Sequence, residues 1–385
     1  MGGRKRRKQL RQRLACVIFI IAVGCCMYVI STRSERGSFE SVEVEEWPTE
    51  SGHHLHQQQS LFSDDIINPH PYHFTISNPT HCHDMNTSED GQPYLLILVK
   101  AAPGDFYDRQ QIRQTWGGTR IVGQQLTSTL FLLGLSRDEE VNERIREESI
   151  LYEDIVQENF IDAYLNLTIK NIMGMKWVAT FCPNASYVAS ADADVMLNTF
   201  NWVRRLLVKP RRRYAEGSLR RNTMPVRRPD KHNAKWLTSR ELYPEATYAP
   251  FFPGSCFVLS RDVAADIYNQ SQHVRFLPWD DVFVGLVMKR IGIKPRHAKG
   301  YEQYVRLSSS KAITRALRRG IAVLIRHQVD SVDEHLLALW KSAVTLSQRQ
   351  EEPHSASPPQ TAVFAVAIIL FFFLFYSVGV ALMLV

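Results

Sequence analysis

Apolar runs of strand length alternate along this chain with segments of helical periodicity, and this alternation most constrains the fold. In chain order, these runs and helical segments are Tyr94–Val99, Asp108–Trp116, Thr129–Leu135, Asp138–Ser149, Asp162–Phe181 and Tyr187–Ser190. A continuous apolar run indicates a strand that is covered on both faces of its sheet. Strands that alternate with helices indicate an α/β domain. The sequence therefore predicts an α/β sandwich with a mostly parallel central sheet.

Two aspartates directly follow the last of these strands. Asp192 and Asp194 are two residues apart, and extended backbone turns alternate side chains to one face. In open α/β sheets ligands bind beyond the carboxyl ends of the strands, which is where this pair lies. Converging carboxylates repel unless a cation lies between them, and Mg²⁺ and Mn²⁺ favour oxygen ligands of this kind. The pair predicts a site for a metal and a phosphate, although the same pattern also occurs by chance in many chains.

The N-terminal region has the pattern of a membrane anchor. Leu14–Ile30 is apolar and uncharged, and the basic residues of 1–13 before it equal the whole formal net charge of +7. The rest of the chain is therefore neutral, and nucleic-acid binding is not indicated. The basic flank predicts a cytoplasmic tail at 1–13, a signal anchor at 14–30 and a lumenal remainder. A cleaved signal peptide is the alternative, which the long apolar run and the lack of a small-residue exit disfavour.

The rest of the chain divides by composition into a stem, a domain and a C-terminal tail. Residues 31–90 are polar and rich in histidine and proline, which predicts a solvated stem before a lumenal domain at 91–345. A linker at 346–360 leads to an uncharged segment at 361–385. This segment predicts a second membrane helix. The alternatives are a cleaved anchor-attachment signal, for which the polar spacer is too short, and a gene-prediction error.

Cysteines and glycosylation sequons are consistent with a lumenal domain. The sequons are at Asn86, Asn166, Asn184 and Asn269. Three cysteines lie beyond the predicted anchor, and a secretory lumen permits disulfides. They are Cys82, Cys182 and Cys256. An odd number leaves one thiol without a partner in any pairing.

Three segments carry side chains suited to a sugar or phosphate ligand. Trp236, which follows Lys235, and the aromatic stretch Tyr248–Ser255 offer flat rings to sugar faces, and Gly254 lets the backbone approach a ligand closely. The arginine-rich segment 209–228 is suited to a phosphate or an acidic acceptor, or else is an ordinary solvated loop.

Eight short blocks stand in an order and spacing that is specific in combination, although no single block is diagnostic. They are Arg109–Trp116, Phe131–Gly134, Tyr152–Ile155 with Tyr164–Lys170, Asp192–Asp194, Lys235–Trp236, Tyr248–Ser260, Asp281–Gly285, and His327 before Trp340. On these blocks, residues 93–343 resemble the inverting β-1,3-glycosyltransferases of the Golgi, particularly the β-1,3-galactosyltransferases. The resemblance implies a GT-A-like nucleotide-sugar-binding fold behind a type II membrane anchor in the Golgi membrane.

The resemblance also implies roles for individual residues. Asp281 matches the family's catalytic base, and the matches to its ligands for Mn²⁺ or Mg²⁺ are Asp192, Asp194 and His327. The matches to its donor-binding positions are Arg109, Arg113, Asp192, Lys235, Trp236 and Gly254. For Arg113 a structural ion pair is an equally good interpretation, and His327 has a core or surface histidine as its alternative.

Two positions depart from the family pattern. Asp280 stands where a glutamate is common, and Ala193 interrupts a run that often has three acidic residues. The cysteines match more closely, since Cys82 and Cys182 resemble a family disulfide, which would leave Cys256 free.

The activity that the resemblance implies is a β-1,3-galactosyl transfer. Galactose would pass from UDP-galactose to the 3-hydroxyl of a terminal N-acetylhexosamine on a glycoprotein or glycolipid, with inversion. The alternatives are a β-1,3-N-acetylglucosaminyltransferase that uses UDP-GlcNAc, and a non-catalytic, membrane-tethered glycan-binding relative.

Overall fold

The computed structural model describes residues 60–82, 92–231, 233–302 and 310–324, together with 337–338, 340–342 and 344–345. The chain divides between Gln57 and Gln58, and every described residue belongs to the unit that begins at Gln58. In these described stretches no helix has the length and apolar character needed to cross a membrane. The predicted anchor at 14–30, the predicted membrane segment at 361–385 and His327 lie outside the described residues.

Strands and helices alternate through the described chain, as the apolar runs predict. The strands are β1 (Phe74–Ile76), β2 (Leu95–Lys100), β3 (Ile121–Val122), β4 (Gln125–Leu135), β5 (Ile155–Ile161), β6 (Tyr187–Asp192), β7 (Val195–Leu197), β8 (Ala215–Gly217), β9 (Cys256–Ser260), β10 (Arg296–His297), β11 (Tyr301–Glu302) and β12 (Ala322–Leu324). The α-helices are α1 (Phe106–Gln114), α2 (Glu139–Tyr152), α3 (Leu167–Phe181), α4 (Thr199–Leu206), α5 (Arg261–Ser271), α6 (Asp280–Arg290) and α7 (Ser310–Arg319).

The central sheet is parallel in its middle and antiparallel towards its sides. Nine of the described strands form it in the order β1-β5-β4-β2-β6-β9-β8-β10, with β3 paired to β4. The four strands β5, β4, β2 and β6 are parallel neighbours, whereas β1 and β9 pair antiparallel to β5 and β6. β9 runs backwards because the chain re-enters the sheet at the end where β6 finishes. The predicted mostly parallel sheet is thus correct for the centre, and the sheet as a whole is mixed.

Alternate residues of β2 face two separate apolar cores. Leu96 and Leu98 pack in the core that α3, α5 and α6 cover. Leu95, Ile97 and Val99 pack in the core on the other face, which α1, α2, α4 and α7 cover. Every residue of β2 is buried, because helices cover both faces of the strand. The predicted α/β sandwich is confirmed.

Residues 60–82 pack on the sheet, although the sequence placed them in a solvated stem. β1 pairs with β5, and Leu61 is buried in the core beside α5. A disulfide joins Cys82 to Cys182 after α3, and Cys256 is a buried free thiol. The implied disulfide is therefore confirmed, whereas the predicted domain start at residue 91 is too late. The polar sequence of this segment carries no strand or helix period, so its packing depends on contacts distant in sequence.

A small second sheet lies directly after the predicted metal-binding turn. It has the order β11-β12-β7, and β7 begins one residue after Asp194. The indole of Trp340, in the last described helical stretch, donates to the carbonyl of Leu197 at 3.0 Å. The C-terminal part of the domain therefore supports the strand that follows Asp192 and Asp194.

Candidate active site

The carboxyl ends of two central strands bring a lysine and an aspartate together. β2 and β6 are parallel neighbours, and Lys100 stands opposite Asp192 at their last paired position. Lys100 Nζ lies 3.0 Å from Asp192 Oδ1. Asp194 follows in the turn between β6 and β7. The aspartate pair therefore lies at the edge of the sheet where open α/β folds bind their ligands.

Lys100 also connects the strand ends to the start of α6. Its Nζ lies 2.5 Å from Asp280 Oδ2 and donates to the carbonyl of Gly254 at 3.1 Å. Asn171 of α3 donates to the same oxygen of Asp280 at 3.2 Å. One buried ammonium group therefore holds two carboxylates that are far apart in the sequence. Lys100, Asp192, Asp280 and Asp281 together form what we call the carboxylate site.

The two aspartates that begin α6 differ in their protonation. Burial alone would raise the pKa of Asp280, but Lys100 and Asn171 hold this pKa below its usual value. Burial and the neighbouring charge of Asp280 raise the pKa of Asp281 to about 7. Asp281 Oδ1 accepts a hydrogen bond from the backbone N–H of Val282 at 2.7 Å. Asp281 is therefore a half-buried carboxyl that exchanges its proton near neutral pH, as a general base requires.

Gly254 is packed against the carboxylate site. A methyl group on its α-carbon would lie 3.2 Å from Asp280 Oδ1 and 3.2 Å from Lys100 Nζ. A larger residue would therefore press on the pair that these two side chains form. The close backbone approach expected at this glycine occurs towards protein side chains, and its contact with a donor stays a prediction.

Exposed aromatic groups border the carboxylate site. Trp236 Nε1 donates to the hydroxyl of Tyr164 at 2.9 Å, and Lys235 Nζ lies 5.0 Å from the centre of the Tyr164 ring. Burial raises the pKa of Tyr164, the bond from Trp236 opposes this, and the charge of Asp281 raises the pKa further. The phenol is thus within electrostatic reach of the predicted base. We call Tyr164, Lys235 and Trp236 the rim.

The guanidinium groups of Arg109 and Arg113 make ion pairs with carboxylates of neighbouring elements. Arg109 is fully buried and donates to Glu148 and to the carbonyl of Ala102. Arg113 lies 2.7 Å from Glu148 Oε1 and 2.8 Å from Asp154 Oδ1. These contacts agree with the structural interpretation that the sequence left open for Arg113. A role of either residue in donor binding stays a prediction.

The strand-end aspartates offer the donor set of a magnesium or manganese site. Asp192 and Asp194 supply only oxygen, the ligand atom that these ions prefer, and the Asp192 side chain is 36% exposed. Lys100 occupies one oxygen of Asp192, which leaves the other for a ligand. Across the described stretches no three histidine, cysteine, aspartate or glutamate side chains form a metal-binding group. The two aspartates therefore fit part of the ligand set of such an ion, and His327, the third predicted ligand, lies outside the described residues.

Comparison with known proteins identifies the family of the chain. The sequence profile of the family described as galactosyltransferase matches residues 107–299. Beta-1,3-galactosyltransferase 1 of Homo sapiens and of Mus musculus is 39% identical over 272 residues, which are 70% of this chain and 78% of that protein. Beta-1,3-galactosyltransferase 5 of Homo sapiens is 39% identical over 204 residues, which are 52% of this chain and 64% of that protein. The chain belongs to the galactosyltransferase family. It is therefore a hexosyltransferase, and membership implies a nucleotide-sugar donor and a glycan acceptor.

The solved structures that match this chain are much more distant from it in sequence. The galactosyltransferase LgtC, solved with donor and acceptor sugar analogs, has a TM-score of 0.33 and 10% identity, and the match covers 65% of this chain and 95% of that one. The mannosyltransferase PcManGT of Pyrobaculum calidifontis, solved with GDP-Man and Mn²⁺, has a TM-score of 0.32 and 11% identity, with 72% and 80% covered. Similarity at this level carries no argument about the site.

Lys100 and Asn171 belong to the site of this galactosyltransferase, but the sequence did not single them out. Lys100 ends the apolar run Leu95–Lys100, and a charge that is buried at the end of a strand was the available signal. Asn171 lies inside the apolar helix α3 and is buried, which is the corresponding signal there. Neither signal reveals the partner, because Lys100 and Asp280 are 180 residues apart.

Proposed function

We propose that this galactosyltransferase transfers galactose from UDP-galactose to the 3-hydroxyl of a terminal N-acetylhexosamine on a glycoprotein or glycolipid glycan, with inversion. The proposal depends on one observation: Asp281, whose pKa is about 7, begins α6 beside Asp280, which Lys100 joins to Asp192. The proposed base and a proposed metal-binding carboxylate thus belong to one network. The names of the β-1,3-galactosyltransferases that are 39% identical support the linkage.

Asp281 would act on the acceptor. Its ionised carboxylate would accept the proton of the acceptor 3-hydroxyl while that oxygen bonds to the anomeric carbon of galactose. The bond from that carbon to the diphosphate oxygen breaks, and UDP leaves with the electron pair. A single carboxylate base is sufficient for this direct displacement, which inverts the anomeric carbon without a covalent intermediate.

Asp192 and Asp194 would hold Mn²⁺ or Mg²⁺ at the donor's diphosphate. A divalent ion at this position supplies Lewis-acid neutralisation of the negative charge that grows on UDP. Lys100 fixes the orientation of Asp192 through the contact at 3.0 Å. We expect excess EDTA to abolish transfer and added Mn²⁺ to restore it. Undiminished activity in EDTA would contradict the metal role.

A screen of donors and acceptors tests the proposed activity directly. The full-length protein is assayed with UDP-galactose and UDP-GlcNAc on acceptors that end in GlcNAc, GalNAc or galactose. We expect UDP-galactose to react with the N-acetylhexosamines, and linkage analysis to give a β-1,3 product. Transfer of GlcNAc to galactose would instead support the N-acetylglucosaminyltransferase alternative. Glycan binding without transfer from either donor would support the non-catalytic alternative.

We also propose that the protein is a type II protein of the Golgi membrane with a lumenal catalytic domain, to which the segment 361–385 would add a second membrane segment. The charge asymmetry around residues 14–30 supports this orientation. The confirmed disulfide between Cys82 and Cys182 agrees with an oxidising lumen. Protection of the domain from added protease in intact microsomes is the expected result, and cleavage without detergent would contradict it.

A further inference from the structure

Thr238 lies at the centre of a buried hydrogen-bond network beside the active site. The residue is fully buried, and its hydroxyl donates to the carbonyl of Trp236 at 3.0 Å. The indole N–H of Trp279 donates to this hydroxyl at 2.9 Å, and the hydroxyl of Tyr248 lies 2.7 Å from it. Either hydroxyl can be the donor in the pair of Thr238 and Tyr248. The Thr238 hydroxyl therefore has three polar partners.

This network joins the rim to the start of α6. Trp236 belongs to the rim, and its indole donates to Tyr164. Trp279 is the residue directly before Asp280 and Asp281, at the N-terminal cap of α6. One hydroxyl thus connects the backbone of the rim to the helix start that carries the base.

A second set of contacts, made by Arg227, holds the loop that contains Thr238. Arg227 donates to the carbonyls of Thr238 and Ser239 at 2.8 and 2.6 Å. It also donates to the carbonyls of Tyr243 and Glu245 at 2.6 and 2.9 Å. Because one guanidinium binds four backbone oxygens of residues 238–245, it fixes the path of this loop. Thr238 is consequently the point where a fixed loop is attached to α6.

The rim is exposed, and its Tyr164 is within electrostatic reach of Asp281. Trp236 is 42% exposed and Tyr164 is 47% exposed, so both rings are available to a ligand. An acceptor hydroxyl that gives its proton to Asp281 must lie within hydrogen-bond reach of that carboxylate. The sugar ring that carries the hydroxyl then lies between Asp281 and the rim, where flat rings suit its C–H face. This step rests on the proposed function, because it takes Asp281 as the base.

We propose that Thr238 is a positioning residue that sets the separation of the rim from Asp281 and so determines how well an acceptor hexosamine fits. The residue touches no substrate and acts through Trp236 and Trp279. Removal of the hydroxyl leaves the N–H of Trp279 and the phenol of Tyr248 without their common partner. The rim and the start of α6 are then free to shift relative to each other.

The test compares four variants of the full-length protein. Thr238→Val removes the hydroxyl at nearly constant volume, and Thr238→Ser retains it. Trp279→Phe removes the N–H that reaches Thr238. The matched control is Thr199→Val, because the Thr199 hydroxyl is buried and has no hydrogen-bond partner among the described residues. For each variant we measure the acceptor KM and kcat at saturating UDP-galactose, the donor KM in acceptor-free hydrolysis, and the melting temperature.

We expect the acceptor KM to rise by roughly 10- to 100-fold in Thr238→Val and Trp279→Phe, because small displacements from reactive geometry are costly. Donor KM and acceptor-free hydrolysis should stay within about twofold of wild type, and Thr238→Ser and Thr199→Val should keep the acceptor KM within about threefold. A merely structural role would lower the active fraction, and hence kcat and hydrolysis together, without this split.

An unchanged acceptor KM in both Thr238→Val and Trp279→Phe would overturn the inference, and so would a parallel rise of the donor KM. If Thr238→Val does not fold, the comparison of Trp279→Phe with wild type decides. Failure of the proposed function looks different, because wild type itself then transfers nothing to hexosamine acceptors. In that case the same comparison is made with whichever acceptor the screen identifies.

Discussion

Asp280 and Asp281 are neighbours in the sequence, yet their surroundings move their pKa values in opposite directions. Lys100 and Asn171 hold the pKa of Asp280 down against its burial, and Asp280 in turn helps to raise the pKa of Asp281. Two carboxylates whose environments separate their pKa values often divide the structural and the acid–base work between them. Here the ionised Asp280 anchors the site, and Asp281 remains available to take a proton.

The pKa of Asp281 predicts how the transfer rate depends on pH. Below about pH 7 this carboxyl is protonated and cannot accept the acceptor's proton, so kcat should rise with pH through this value and then level off. Asp281→Asn should lower kcat by roughly 10²- to 10⁴-fold and remove this acidic limb. Rates with UDP-galactose between acidic and alkaline pH measure both effects, with donor binding as the control. An unaltered acidic limb in Asp281→Asn would assign it to another group.

Lys100 should be essential to the stability of the site. Lys100→Met leaves the buried Asp280 without its cation, and loss of one partner of a buried ion pair costs roughly 3–5 kcal/mol of unfolding free energy. Because Lys100 lowers the pKa of Asp280, this pKa should rise in the variant. At neutral pH the unfolded chain carries an ionised Asp280, whereas in the folded variant this carboxylate has lost its cation. Urea unfolding should therefore show the largest loss of unfolding free energy at neutral pH and a smaller loss in acid, where Asp280 is protonated in both states.

The double variant Lys100→Met/Asp280→Asn is the control for this interpretation. It removes the unpaired charge, so it should recover part of the unfolding free energy that Lys100→Met loses. A deficit that does not change with pH, or that the second substitution does not reduce, would mean that Lys100 stabilises the protein by packing alone.

At the scale of elements, the segment 60–82 is part of the folded body. β1 extends the sheet beyond β5, and the buried Glu158 of β5 binds His70 at 2.6 Å on one side and Lys176 at 2.6 Å on the other. The disulfide from Cys82 closes a sequence separation of 100 residues to Cys182. A catalytic fragment that begins after this segment would expose the edge of β5 and leave Cys182 unpaired.

The choice of fragment tests this arrangement. We expect the fragment 58–345 to be more stable than the fragment 86–345 by at least the roughly 2–5 kcal/mol of a native disulfide. Denaturant unfolding of the two secreted fragments provides the measurement. The variant Cys82→Ser/Cys182→Ser of 58–345 separates the disulfide from the packing of β1 and Leu61. Equal stability of the two fragments would show that residues 60–82 contribute nothing to the fold.

Local patterns and long-range contacts differ in how far the sequence reveals them. The strands β2, β4 and β6 and the position of Asp192 follow from apolar runs, because burial on both faces requires such runs. Lys100 and Thr238 were not found, because their roles depend on partners that only the folded chain brings near. The packing of residues 60–82 was missed for the same reason. The disulfide was implied by family resemblance alone.

Considered as a whole, the molecule separates the first part of its arginine-rich segment, residues 209–213, from the candidate active site. Arg211 lies over the ring of Tyr94 at 5.2 Å, and Tyr187 donates to the carbonyl of Lys209 at 2.7 Å. Tyr94 and Tyr187 stand at the amino ends of β2 and β6, whereas Lys100 and Asp192 stand at their carboxyl ends. The five residue steps from Tyr187 to Asp192 span about 17 Å at 3.3 Å for each step. Residues 209–211 are thus remote from the carboxylate site.

This separation predicts the behaviour of the arginines that the sequence associated with phosphate. Arg211 and Arg212 are exposed, and about 17 Å exceeds the screening length of about 8 Å at physiological salt. Arg211→Ser/Arg212→Ser should therefore leave the donor KM within about twofold of wild type at physiological salt, with a modest rise only at low salt. Steady-state kinetics at both salt concentrations provide the measurement. The comparison is Arg220→Ser/Arg221→Ser, which changes two arginines near the other end of the sheet. A tenfold or larger rise of the donor KM in Arg211→Ser/Arg212→Ser, at physiological salt, would mean that this segment reaches the donor after all.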